Sequence, residues 1–157
     1  MEESGGKMPA FSGKYYYTVD PKGRIIIPAF FREIIVTNYS TKLYITNDSS
    51  EKCLCIYPLE EWNKLQELVR TKPRSDKYIK YFMKRVIGSA VEIEMDKQGR
   101  VLIPAALRVD AKINTNIAIV GQLERIELWD RDEYDALFEP SHMDKGDLEK
   151  GLATHGL

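Results

Sequence analysis

A thirteen-residue segment that occurs twice constrains the fold of this chain more than any other feature. Residues 20–32 and residues 96–108 are identical at seven positions, at a constant offset of 76 residues. Ordinary residue frequencies would give about one identity over such a stretch. The chain therefore contains two copies of one structural unit, and overlooking such a repeat would misassign the fold.

The repeat continues downstream while its offset shrinks, which sets the domain organisation. Residues 43–46 match 117–120 at an offset of 74, and residues 54–57 match 126–129 at an offset of 72. The second copy is shorter because residues are missing in its connecting loops, where deletions are tolerated. The predicted organisation is a flexible extension over 1–13, a first unit over 14–61, a helical linker over 62–89, a second unit over 90–133, and a terminal helix with a loose acidic tail over 134–157.

Each unit is predicted to contain a β-hairpin, a short helix and two further strands, which gives an α+β fold. The turn Asp20-Pro-Lys-Gly has the residue preferences of a type I turn. Residues 91–95 alternate apolar and polar side chains, as a half-buried strand does. Pro28 follows the return strand and suits the start of a helix.

Charge is unevenly distributed along the chain. The formal net charge is −1, which excludes a uniformly basic protein. Residues 70–85 carry a net charge of +6, however, and residues 122–157 carry −6. The basic run is interpreted first as a solvated helix face, second as a contact for a partner, and third as a nucleic-acid surface.

Three absences in the sequence limit the cellular environment we expect. No stretch approaches the roughly 18 continuous apolar residues of a membrane span, and the first ten residues lack the apolar segment of a signal peptide. The two cysteines do not make a disulfide framework. We therefore expect a protein of the reducing cytoplasm that does not associate with membranes.

The tips of the two predicted hairpins, residues 20–24 and 96–100, are the strongest candidate binding site. Arginine suits bidentate contact with phosphate or with guanine edges, and glycine lets a ligand approach the backbone. The alternative is that Asp20 and Asp96 each pair with the arginine of their own turn and only stabilise it. Residue chemistry alone gives these two interpretations equal weight. The candidate contact residues are Lys22, Gly23, Arg24, Lys97, Gly99 and Arg100.

A metal site and a catalytic site are both predicted to be absent. Cys53 and Cys55 align with Arg125 and Glu127 of the second copy, which suggests that these positions tolerate charge and face outward or an interface. Zinc needs about four ligands, and the sequence places no third and fourth ligand nearby.

Catalytic motifs are equally scarce. The chain has no glycine-rich phosphate loop or nucleophile elbow, and its two histidines, His142 and His155, lie in the predicted tail. We therefore expect neither a cofactor nor an enzyme.

The paired motifs resemble those of the bacterial MraZ family. They are the twin Asp-x-x-Gly-Arg-x-x-Ile-Pro-Ala segments, with Cys-Leu-Cys-Ile-Tyr-Pro-Leu-Glu-Glu-Trp after the first and Val-Gly-Gln-Leu-Glu-Arg-Ile-Glu-Leu-Trp-Asp after the second. The resemblance covers about residues 11–138. It implies a SpoVT–AbrB-like fold, in which two tandem swapped-hairpin β units form an internal pseudo-dimeric barrel and are joined by helices.

The resemblance also implies a function. It suggests a sequence-specific DNA-binding transcriptional regulator of the division and cell-wall gene cluster, which binds short direct repeats upstream of its own gene as a ring-like oligomer at the nucleoid. Arg24 and Arg100 would contact DNA, and Lys22 and Lys97 would neutralise phosphate. The turn aspartates would orient the arginines.

Two features leave an alternative open. Gln98 replaces the first copy's lysine, so the second tip is expected to bind more weakly. The pI near 6.2 is unusual for a DNA-binding domain, although several linked sites in a ring would raise the effective concentration. The alternative function is an oligomeric protein-binding scaffold without DNA readout.

Overall fold

The computed structural model describes residues 9–157, which form eight β-strands and six α-helices. The strands are β1 (Lys14–Thr18), β2 (Arg24–Ile26), β3 (Lys42–Asn47), β4 (Leu54–Pro58), β5 (Val91–Glu94), β6 (Arg100–Leu102), β7 (Asn116–Gln122) and β8 (Arg125–Asp130). The helices are α1 (Ala29–Asn38), α2 (Leu59–Arg70), α3 (Lys77–Phe82), α4 (Ala105–Asp110), α5 (Arg131–Leu137) and α6 (Lys145–Ala153). A π-helical turn, Met83–Ile87, continues α3.

Strands of the two copies pair with each other, so neither copy forms its own sheet. The larger sheet is antiparallel, in the order β1-β7-β8-β4-β3-β5, and β2 and β6 form a separate two-stranded ladder. Strand β1 of the first copy pairs with β7 of the second, and β5 of the second pairs with β3 of the first. The α+β class is confirmed. The predicted barrel is not, because within residues 9–157 β1 and β5 are open edges of the larger sheet.

The repeated segment supplies equivalent residues to one hydrophobic core. Three of its apolar positions are buried in both copies: Ile25, Ile27 and Phe31, and Val101, Ile103 and Leu107. They pack with buried residues of β3, β4, β7 and β8 on one face of the larger sheet. Removing this apolar surface from water is the main stabilisation available to a chain of this size.

The chain enters the fold before residue 14, earlier than the sequence predicts. The backbone of Phe11 exchanges hydrogen bonds of 2.7 and 2.8 Å with Leu123, and its buried ring meets Phe31 edge-on at 5.4 Å. A Cβ at Gly121 would lie 2.5 Å from the Phe11 backbone, so only glycine permits this approach. Residues 1–8 of the predicted extension lie outside the described residues.

The linker packs on the opposite face of the larger sheet. Trp62 of α2 is buried and stacks on Tyr44 at 5.3 Å. Six basic side chains of residues 70–85 are exposed, as each of the three interpretations of this run requires. Arg85 differs, because its Nε donates a 2.6 Å hydrogen bond to the Asp48 carbonyl.

The C-terminal segment is helical, so the prediction of a loose tail was wrong in this respect. Asp130 caps α5 by accepting a hydrogen bond from the Glu133 backbone N–H. Asp144 caps α6 in the same way, at 2.9 Å from the Asp147 nitrogen. A capping carboxylate satisfies a backbone donor that would otherwise lack a partner.

Candidate nucleic-acid interface

The exposed face of the β2–β6 ladder brings the two predicted arginines together. The register places Arg24 opposite Leu102 and Ile26 opposite Arg100. Cross-strand partners point to the same side, and so do alternate residues of one strand. These four side chains therefore form one surface, which we call the ladder face. Ile26 is 48% exposed and Leu102 54%, whereas the intervening residue of each strand is buried.

The ladder face has approximate two-fold symmetry. Each arginine lies beside an exposed aliphatic residue of the other copy. The two arginines are offset by two positions along the ladder, which corresponds to about 7 Å. The Gly23 carbonyl accepts from the Ile103 nitrogen at 2.9 Å, and the Gly99 carbonyl accepts from the Ile27 nitrogen at 2.8 Å. Each turn is thereby fixed to the other copy.

The first turn is stabilised by its aspartate without using all of the arginine. Asp20 Oδ1 accepts hydrogen bonds from the backbone nitrogens of Lys22 and Arg24, both at 2.9 Å. Asp20 Oδ2 accepts from Arg24 Nε at 2.7 Å. Within residues 9–157 the structure records no acceptor for the two terminal nitrogens of Arg24, so they are available to a ligand.

The second turn repeats this arrangement with one difference. Asp96 Oδ1 accepts from the backbone nitrogens of Gln98 and Arg100 at 2.9 Å, and Oδ2 accepts from Arg100 Nε at 3.0 Å. Gln98 Oε1 also accepts from Arg100 Nη2, at 2.5 Å. The two interpretations of the Asp–Arg pairs are therefore compatible, because each aspartate engages Nε and leaves terminal nitrogens for a ligand: both in Arg24, and Nη1 in Arg100.

Hydrogen bonding favours the charged form of both aspartates. The backbone N–H of Arg24 is the largest cause that lowers the pKa of Asp20, and its side chain adds to the effect. The backbone N–H of Arg100 lowers the pKa of Asp96 in the same way. A carboxylate that accepts several N–H groups is harder to protonate.

We expect acid to weaken these turns in a measurable way. Because the folded-state pKa values are lowered, the two carboxylates contribute stability that is fully present above the unfolded-state pKa, about 3.9. That contribution is lost as the pH falls through the lower folded-state values. An Asp20→Asn/Asp96→Asn variant should therefore lose less stability than the wild type between about pH 5 and about pH 2.5. Denaturant unfolding at a series of pH values measures this, and equal pH slopes would contradict it.

The lysines and glycines of the tips occupy the turn positions. Lys22 and Lys97 are both exposed. Gly23 has φ 83° and Gly99 has φ 81°, both in the left-handed region that favours glycine. At Gly99 space is also limited, because a Cβ would lie 2.3 Å from Cδ of Arg32.

The two arginines beyond the Pro-Ala segment have different environments. Arg32 lies over the second tip, where its Nη1 donates to the Gln98 carbonyl at 3.4 Å. Arg108 instead donates to the carbonyls of Ile113 and Asn114, at 3.0 and 3.1 Å, and so stabilises the end of its own helix. Arg32 therefore adds positive charge to the second tip, where the sequence lacks the lysine of the first copy.

Sequence reasoning missed the aliphatic and aromatic residues of this surface. A depression beside Ile26 is lined by Tyr16, Tyr17 and Arg131. The Arg131 guanidinium lies 3.8 Å from the centre of the Tyr16 ring, a cation–π geometry. The run Tyr15-Tyr16-Tyr17 is typical of a strand, but three consecutive tyrosines carry no signal for which side chains are exposed.

The prediction for the two cysteines was wrong on two points. Cys53 and Cys55 are each 1% exposed, so they face neither solvent nor an outer surface of the chain. Asp48 and Glu127 are also buried, and their carboxylates lie beside the two thiols. The third and fourth potential ligands that the sequence did not indicate are therefore present.

The strand exchange, the shared core and the paired turns define an internally duplicated α+β protein with one composite hairpin surface. The chain belongs to the MraZ family, as the sequence resemblance indicated. The family described as "MraZ protein, putative antitoxin-like" matches residues 10–80 and 86–152, one segment for each half of the chain.

Relatives with this family name cover most of the chain. "Transcriptional regulator MraZ" of Pseudomonas fluorescens (strain SBW25) is 37% identical over 127 residues, which are 81% of this chain and 84% of the relative. The protein of the same name from Acetivibrio thermocellus is 35% identical over 147 residues, 94% of this chain and 99% of the relative. These names describe a non-enzymatic role, in agreement with the prediction that this chain is not an enzyme. None of the helices in residues 9–157 combines the length and the apolar character needed to cross a bilayer.

Proposed function

We propose that this protein is a sequence-specific DNA-binding transcriptional regulator and that the ladder face is its DNA-reading surface. The observation that carries the proposal is the pair of arginines on one exposed face, each oriented through Nε by its own aspartate. The names of its relatives support the regulatory role. Because hydrogen bonds already hold these arginine side chains in place, the side chains lose little conformational entropy when they bind DNA.

The ladder face has the chemistry that a duplex groove requires. A two-stranded β-ribbon fits the major groove, where arginine pairs with the O6 and N7 atoms of guanine. Ile26 and Leu102, which are exposed between the arginines, suit contact with the methyl group of thymine. Lys22 and Lys97 supply charge for the phosphates on either side. The two-fold symmetry of the face lets the two arginines read bases in equivalent ways.

The finer features of the function follow from the weakness of a single site. One ladder face makes few phosphate contacts, and the net charge of the chain, −1, adds no general attraction to DNA. A single site should therefore bind DNA weakly. Several faces in a ring-like homo-oligomer would bind short direct repeats by effective concentration. We place these repeats upstream of the protein's own gene, in the division and cell-wall gene cluster, and the protein at the nucleoid of the cytoplasm.

Fluorescence anisotropy with labelled DNA from upstream of the gene tests this function. We expect affinity to fall steeply as direct repeats are removed one by one, because each removal takes away a linked site. Affinity should also fall with salt, since phosphate contacts release counterions. A scrambled duplex of equal length is the control. Equal affinity for both duplexes, or none at low salt, would favour the protein-binding scaffold instead.

A further inference from the structure

Four buried side chains of metal-binding types converge on the face of the larger sheet that is opposite the main core. They come from Asp48, Cys53, Cys55 and Glu127, and one ligand atom of each lies within 4.8 Å of the others. All four residues are buried, with exposures between 1% and 8%. Buried carboxylates and thiols are uncommon without partners, so their grouping requires an explanation.

The strand register brings these residues together from both halves of the chain. Cys55 of β4 is the direct cross-strand partner of Glu127 in β8. Cys53 precedes β4 by one residue and packs beside Trp129 of β8. Asp48 follows β3 and begins the loop that leads back to Cys53. The cluster thus joins the β3–β4 connection of the first copy to a strand of the second.

Neighbouring donors hold both carboxylates in place. Asp48 Oδ2 accepts from the backbone nitrogens of Ser50 and Glu51, at 3.0 and 2.9 Å. Glu127 Oε1 accepts from Trp129 Nε1 at 2.9 Å. Such outer hydrogen bonds orient the carboxylates that bind metals in known sites. The other oxygen of Asp48, Oδ1, accepts from the Cys55 thiol at 3.4 Å and so points into the cluster.

We propose that this cluster is a structural site for a thiophilic divalent cation of the Zn²⁺ class. Cys53 and Cys55 would bind as thiolates, and Asp48 and Glu127 would each provide one oxygen. Zn–S and Zn–O distances of a tetrahedral site place ligand atoms about 3.3 to 3.8 Å apart. Magnesium and calcium prefer oxygen ligands alone, so the two sulfurs select against them.

Arg125 is the competing cation in this cluster. Its Nη2 lies 3.2 Å from Glu127 Oε2 and 3.9 Å from Asp48 Oδ1, while its Nη1 lies 3.6 Å from the exposed Glu124 carboxylate. Arg125 can therefore turn toward Glu124 when a metal enters. Binding one divalent cation releases two thiol protons to solvent, so the formal charge of the cluster does not change. The positive charge of Arg125 therefore still balances part of the negative charge of the cluster after a metal has bound.

Cobalt substitution tests the site directly, because Cys53 and Cys55 are the only cysteines of the chain. We expect untagged, reduced protein titrated with Co²⁺ to bind one equivalent and to develop a thiolate-to-cobalt charge-transfer band with tetrahedral visible absorption. Added Zn²⁺ should displace the cobalt. A Cys53→Ser/Cys55→Ser variant should lose the band, and Glu127→Gln should weaken cobalt binding about tenfold or more. Glu67→Gln, at an exposed carboxylate of α2 that is not part of the cluster, is the matched control and should bind as the wild type does.

A thermal measurement separates the metal site from a purely structural ion cluster. Zn²⁺ should raise the unfolding temperature of the wild type, because it binds the folded state alone, and it should leave the double-serine variant unchanged. His142→Asn/His155→Asn should retain both the cobalt band and the zinc effect, since these exposed histidines are not ligands. Wild-type protein without a thiolate band, or with no rise in unfolding temperature in zinc, would overturn the proposal and leave Arg125 as the cation of the cluster.

Discussion

Replacing both ladder-face arginines with alanine, in Arg24→Ala/Arg100→Ala, is expected to weaken binding to the upstream DNA at least about thirtyfold. A bidentate arginine–guanine contact discriminates by about 1–3 kcal/mol, and two such contacts are lost. The fold should be preserved, because ion pairs at the protein surface contribute little to stability. Anisotropy at two salt concentrations measures the loss, and gel filtration checks that the assembly is unchanged.

A matched control removes the same charge elsewhere. Arg70 and Arg74 are exposed on the linker and away from the ladder face. Arg70→Ala/Arg74→Ala has the same net charge as the tip variant, so non-specific attraction changes equally. We expect this control to bind DNA within about threefold of the wild type. If both variants lose affinity equally, general charge rather than the ladder face dominates binding, and the assignment of the arginines is wrong.

Lysine at the same two positions separates phosphate contact from base reading. Lysine keeps the charge of arginine but lacks its planar pair of donors. Arg24→Lys/Arg100→Lys should therefore keep most of the affinity for a scrambled duplex while losing the preference for the upstream sequence. A variant that retains this preference would indicate that the arginines contact phosphate only.

The sequence predicted the turns well because their determinants are local. An aspartate, a glycine and an arginine at fixed spacing specify the hydrogen bonds of each tip, and these are present in both copies. The ladder face was not predictable in the same way. The segments Arg-Ile-Ile and Arg-Val-Leu each place an apolar residue on both sides of the strand. Only the pairing of β2 with β6 therefore decides which side is exposed.

The cysteine environment illustrates how a repeat can mislead. Equivalent positions were expected to share an environment, so the charged counterparts suggested that the cysteine positions tolerate charge and face outward or an interface. The equivalent strands β4 and β8 are neighbours in one sheet, however, and Cys55 faces its own counterpart Glu127. In a duplicated unit whose copies pair, a difference between equivalent residues indicates that they complement each other across the interface.

Phe11→Ala is expected to destabilise the protein by about 3–5 kcal/mol, the typical cost of removing a fully buried phenylalanine. The Phe11 ring is buried against Phe31 and stacks on Tyr39 at 6.3 Å, although the sequence assigned this residue to a flexible extension. Its loss leaves a cavity beneath the segment that pairs with Leu123. Denaturant unfolding measures the change as a shift of the midpoint.

Phe30→Ala is the matched control, because it deletes the same side chain from a neighbouring part of the fold. Phe30 is 48% exposed, so its truncation removes less buried surface and leaves no enclosed cavity. We expect it to cost about 1 kcal/mol or less. Equal costs for the two variants would mean that the segment before residue 14 does not contribute to the core. A large cost for Phe11→Ala alone would place the start of the folded unit before β1, since the buried ring depends on the chain that precedes that strand.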